Sequence, residues 1–140
     1  MVFKIFLDAN ILLNFLLKRE NYEDAKDIMR LVVDGKVNAY ITTAIVHIVG
    51  YWLAKAYGVK KTKQLLLSLL IDVRVIDISH ELTLLALNSK IDDIEDALQY
   101  YTAIHHQLDY FISGDKKFQK SAIPTLPVVT PSYFLKEIQS

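Results

Sequence analysis

A chain of 140 residues with 52% apolar residues is long enough for one domain with a real core and too hydrophobic to stay disordered. Its 16 basic and 16 acidic residues cancel, which argues against a protein held to its partner mainly by phosphate electrostatics. With no cysteine, disulfides, thiolate nucleophiles and cysteine-based zinc sites are excluded.

Val2 to Leu7 is a β-rich run broken only by Lys4, as expected of a strand near the centre of a sheet. It ends at Asp8, which can cap a helix from about Ala9 to Lys18 with Leu12, Leu13, Leu16 and Leu17 as its buried stripe. Asn21, with Asp24 three places on, reads as the cap of a second helix closed by Asp34-Gly35-Lys36. Val37 to Ile41 is the second strand. Thr42 or Thr43 opens a helix to Tyr57 that Gly58 closes, and Lys60 to Leu70 is a further helix. Its run Leu65 to Leu70 is apolar almost all round, which suggests deep burial or an oligomer or partner surface.

Val73 to Ile76 is the third strand, and Ser79 caps a helix to about Asn88. Asp92 or Asp93 starts the next helix, which runs to about His106. Asp109 to Ser113 is the fourth strand, with a turn at Gly114 and one helical turn from Asp115 to Gln119. Pro127 to Val129 is the fifth strand. Thr130-Pro131 opens the last helix, with proline at the first helical position.

Strands alternate with helices throughout, which predicts an α/β fold: a three-layer α/β/α sandwich on a mostly parallel five-stranded sheet. No linker or repeat interrupts it, so residues 1–140 are expected to form a single domain. The N-terminus lacks the features of a signal peptide, and the most apolar stretch is far shorter than the ~20 residues of a membrane span. The expectation is a soluble, cytoplasmic protein with no membrane partner.

The acids fall at telling places. Asp8 follows the first strand and Asp115 the fourth, at the edge where open parallel sheets bind ligands. Asp93 and Asp96 are three apart in the first turn of one helix and share a face, while Glu95 points elsewhere and reads as a cap or surface acid. Singly, each is an ordinary cap. Jointly, they would repel by about 4 kcal/mol per pair at ~4 Å and an effective dielectric of ~20. A hard cation with oxygen ligands, Mg2+ or Mn2+, is the natural relief, and it can drive phosphodiester hydrolysis. Asn10 could orient a carboxylate or a water, and Ser113 could bond Asp115 or a phosphate. Lys116 and Lys117, with Lys120, could hold an RNA backbone, or simply solvate a turn.

Taken together these stretches resemble a known family. Phe6-Leu7-Asp8-Ala9-Asn10, Asp93-Ile94-Glu95-Asp96-Ala97-Leu98-Gln99-Tyr100 and Asp109-Tyr110-Phe111-Ile112-Ser113-Gly114-Asp115 look like successive motifs of PIN-domain nucleases, and Val129 to Leu135 looks like that family's close. The resemblance covers essentially the whole chain. It implies a ribonuclease centre using Mg2+ or Mn2+, with Asp8, Asp96 and Asp115 as catalytic and metal-holding acids. It also implies a VapC-like toxin with an RNA substrate, an antitoxin protein partner and a homodimeric state. One position departs from the pattern: His47 stands where a glutamate is usual. It could ligate the metal, contact a phosphate or pack the helix, packing being the favoured reading, and Asp93 would make up the missing charge. The departure keeps a second reading open, an inactive PIN-like module that binds RNA or protein. A phospho-receiver domain lacks its lysine after the fifth strand, and a dinucleotide or P-loop site lacks its glycines.

Overall fold

The computed structural model describes residues 2–139. Along the chain it forms β1 (Phe3–Leu7), α1 (Ala9–Leu16), α2 (Tyr22–Val33), β2 (Val37–Thr42), α3 (Thr43–Tyr57), α4 (Val59–Leu69), β3 (Val73–Ile76), α5 (His80–Leu87), α6 (Ile94–His105), β4 (Tyr110–Ile112), α7 (Lys116–Lys120), β5 (Val128–Val129) and α8 (Pro131–Gln139). The five strands order as β3-β2-β1-β4-β5, and every pairing is parallel. The sequence calls for a mostly parallel sheet; the observed sheet is parallel throughout.

Right-handed crossovers fix the layers. The chain steps outward from β1 to β2 to β3, which places α1 to α4 on one face. It then returns across the sheet to β4 and continues to β5, which places α5, α6 and α7 on the other. Helix α8 packs on α2 and completes the first layer. Strand order therefore reverses between β1 and β4, whose registers align Leu7 with Ile112. That reversal opens a crevice at the carboxyl edge of the sheet.

Strands β1 and β4 are central and covered on both faces, and so read as apolar runs. Phe6 stacks on Phe111 at 4.7 Å, and Phe111 meets Phe118 edge-on at 5.0 Å. Tyr100 is fully buried in the same cluster, 5.4 Å from the Phe118 ring. Its hydroxyl donates to the Leu126 carbonyl at 2.6 Å and accepts from the Ile123 amide at 2.8 Å. Packing in the core is thus the observed role of Tyr100. Tyr100→Phe would keep the ring but leave two backbone groups without their partner. We expect a loss of about 1–3 kcal/mol in urea unfolding, with the urea dependence of the transition unchanged.

Most caps stand where the sequence puts them. Ser79 Oγ accepts from the Leu82 amide at 3.1 Å, Thr42 Oγ1 from the Ile45 amide at 3.3 Å, and Thr130 Oγ1 from the Tyr133 amide at 3.2 Å. Asn21 is the exception. It sits at the start of α2 but in the left-handed region, φ 67°, and its side chain makes no capping bond. The leucine run of α4 also resolves differently from a uniformly apolar helix. Leu69 is buried and Leu65, Leu66 and Leu70 pack against the core, while Leu67 stands 69% exposed. Among the described residues, no helix is long and apolar enough to cross a membrane.

Candidate active site

The crevice between β1 and β4 collects the acids. Asp8 is the first residue past β1, where its amide still donates to the Ile112 carbonyl at 3.1 Å. Its Oδ1 accepts from the Ala9 amide at 2.7 Å, so it caps α1 while its carboxylate stays at the sheet edge. Ser113, fully buried just past β4, donates its hydroxyl to Asp8 Oδ2 at 2.9 Å. Ser113 Oγ in turn accepts from the Asp115 amide at 3.1 Å. One serine thus ties the ends of the two central strands together. Asp115 caps α7, accepting from the amides of Lys117 and Phe118 at 2.9 and 3.3 Å.

From the other side comes the first turn of α6. Asp93 is its cap, accepting from the Asp96 amide at 2.9 Å. Asp96 is half-buried, and its carboxyl is pushed up to about 7. Burial is the main cause, followed by the charges of Asp93, Asp8, Asp115 and Glu95. Asp8 is also raised, chiefly by burial and then by Asp115 and Asp93, against the lowering pull of the Ser113 and Ala9 hydrogen bonds. Glu95 is raised by burial and by the charges of Asp8 and Asp93. Five carboxylates therefore share one field, although they come from sequence positions more than a hundred residues apart.

Glu95 is exposed, the surface acid that its spacing suggests, yet its charge is felt in the crevice. Helical spacing pairs Asp93 with Asp96 and leaves Glu95 for the surface or the cap. The structure gives the cap to Asp93, and Glu95 lies within the electrostatic reach of Asp8.

His47 does not follow its favoured expectation as a packing residue. It is exposed on α3, one and two turns from Tyr51 and Lys55 on the same face, while Ile45, Val49 and Leu53 make the buried stripe. It is not among the charges that reach Asp8, Glu95 or Asp96. Asn10, expected to orient a carboxylate or a water, accepts through its Oδ1 from Arg19 at 3.4 Å. Lys117 lines the acidic cleft with Asp93, Asp96 and Asp115, and Lys116 is exposed beside it.

The PIN domain family model matches residues 4–117. The chain belongs to the PIN domain family. Three solved structures are similar to this PIN domain over nearly its whole length. VapBC2 from Rickettsia felis, bound to a DNA fragment from their promoter, has a TM-score of 0.70 at 17% identity over 89% of this chain and 96% of that one. A toxin–antitoxin complex from Klebsiella pneumoniae has 0.65 at 26% identity, over 91% and 97%. VapC20 from Mycobacterium tuberculosis, a sarcin-ricin loop cleaving toxin, has 0.65 at 14% identity, over 88% and 98%. The first and third likenesses are likenesses of fold. No curated protein matches the chain.

The donors of this PIN domain suit a hard divalent cation in kind. They are all carboxylate oxygens, and their mutual repulsion is what such an ion relieves. Among the described residues no three acids or histidines close around a single point.

Proposed function

We propose that the chain is a metal-dependent endoribonuclease, the toxin of a toxin–antitoxin pair, which hydrolyses RNA phosphodiester bonds. The observation that carries the reading is the Asp8–Ser113–Asp115 link at the strand reversal, faced by Asp96 with its carboxyl held near 7. Asp8, Asp96 and Asp115 are the groups that would hold Mg2+ or Mn2+. Glu95 adds negative charge to the set that His47 does not supply, and Asp93 contributes its charge while capping α6. The ion, when bound, supplies charge neutralisation at the phosphate and a water of lowered pKa. The chain's own residues keep the acids in place: Ser113 fixes the orientation of Asp8, and Asp93 fixes the turn that carries Asp96. Lys117 at the mouth of the acidic cleft is suited to a phosphate of the substrate.

The partner reading has its own support. An apolar cleft of about 310 Å3 opens between α1, α2 and α4, lined by Phe15, Leu16, Tyr22, Met29, Val33 and Leu65. An antitoxin segment with an apolar face suits it. Leu84, Leu85 and Leu87 of α5 are at least half exposed and give a homodimer its apolar surface.

The test uses purified chain and its Asp8→Asn variant on a structured RNA pool, with magnesium, with manganese and with chelator. Cleavage that needs the ion and disappears in the variant supports the reading. Equal background cleavage by both proteins overturns it and favours a binding module instead.

A further inference from the structure

Asp115 stands at the junction of two clefts. One is the acidic cleft already described. The other, about 660 Å3, runs past Gly114 to Asn10, Asn14, Arg19, Glu20 and Asn21. Arg19 is exposed, yet it is not loose. Its Nε donates to Asn14 Oδ1 at 3.2 Å and its Nη2 to Asn10 Oδ1 at 3.4 Å. Its amide donates to the Asn14 carbonyl at 3.0 Å, and its carbonyl accepts from the Tyr22 amide at 3.0 Å. Lys18 and Asn21, either side of it, both take positive φ, 52° and 67°. Lys18 closes α1 as its left-handed cap, its amide donating to the Phe15 carbonyl at 3.4 Å beside the Arg19–Asn14 bond, so the end of the helix itself fixes the corner that carries Arg19.

The chemistry of this arrangement is specific. Both side-chain partners are neutral carboxamides, so neither of these hydrogen bonds pairs the guanidinium with an anion. They occupy two of its five N–H groups, one on Nε and one on Nη2. Three donors remain in a fixed fork, the geometry that meets a phosphate. We propose that Arg19, oriented by Asn10 and Asn14, binds a backbone phosphate of the RNA strand where it leaves the acidic cleft past Asp115. This rests on the nuclease reading above and adds to it a path for the strand. An acidic centre repels a polyanion, and a fixed cation on its flank offsets that repulsion without entering the chemistry. Asn10, whose Oδ1 accepts from Arg19, belongs to this subsite.

The experiment measures anisotropy of a labelled single-stranded oligoribonucleotide on the Asp8→Asn chain with magnesium, across salt concentrations, with and without Arg19→Gln. One phosphate contact on a single strand contributes about 0.7 to the salt slope. The slope is expected to fall by about that amount, with affinity down on the order of tenfold whatever the sequence. Arg19→Lys, which keeps the charge and loses the fork, should fall between. In the otherwise wild-type chain, Arg19→Gln should raise KM rather than lower kcat. If the Asp8→Asn chain binds RNA and Arg19→Gln leaves slope and affinity in place, the proposal is wrong and the nuclease reading stands. A loss of affinity that tracks a lowered Tm with the slope intact also overturns it, leaving Arg19 a structural corner. If the Asp8→Asn chain binds no RNA and the wild-type chain cuts none, the nuclease reading fails and this subsite with it.

Discussion

Asp96→Asn should yield a chain that is more stable without metal and inactive with it. The carboxyl of Asp96 is held near 7 by burial and by four neighbouring acids, so at pH 8 the folded state carries a charge it resists. The full shift from 3.8 is discounted because the group is only half-buried and is screened by water and salt, which leaves about 1–2 kcal/mol. Asparagine removes that repulsion. It also loses the attraction of an acid to the first turn of a helix, worth about 0.3–1 kcal/mol, so the repulsion wins. For a domain of this size the net gain should appear as a Tm roughly 3–5 °C higher at pH 8 in chelator. RNA cleavage should drop about a hundredfold or more, beyond the ten- to hundredfold typical of outer partners of a metal site. A structural acid behaves the other way, destabilising on replacement with activity kept, and that result would remove Asp96 from the site.

The second large effect is on pH. Asp96, Asp8 and Glu95 are all raised in the folded chain. A raised acid binds its proton more tightly folded than unfolded. Its contribution to stability is therefore complete below the unfolded value, 3.8 for Asp96, and is lost as pH rises through about 7. The Tm gap between Asp96→Asn and the parent chain should accordingly widen from pH 5 to pH 8. Metal affinity runs in the opposite sense, because each carboxylate must lose its proton to coordinate. Below pH 7 the apparent affinity for Mn2+ should fall about tenfold per pH unit for each proton displaced, and above 7 it should level off. Calorimetric titrations at pH 5.5, 6.5, 7.5 and 8.5 would show this. A flat profile would mean that Asp96 takes no part in binding the ion.

Much of this site is written in the order of residues. Asp8 and Asp115 follow apolar strands, and alternation of strands with helices is enough to send both to one edge of a parallel sheet. Asp96 follows from helical spacing. Glu95 keeps to the surface that its spacing suggests; that its charge still reaches Asp8 depends on how closely α6 approaches the sheet edge, which spacing along one helix does not show. Arg19 was missed. Its placement depends on left-handed backbone at Lys18 and Asn21, and a helix-start signal at Asn21 conceals a corner that hydrophobic periodicity does not encode. His47 shows the limit of position matching: its place in the chain suggests the crevice or the core, while the rotation of α3 turns it to the solvent.

The Ser113 hydroxyl has a single proton, and it goes to Asp8. Donation therefore runs one way, from the Asp115 amide through Ser113 Oγ to Asp8 Oδ2, while Ala9 supplies Oδ1. Each carboxylate oxygen of Asp8 then has one lone pair engaged and one remaining. Asp8 can give each of its oxygens once and no more. Ser113 has no proton left for a phosphate. The valence of the nearest acid is thus set by two hydrogen bonds of the fold, before any ion arrives.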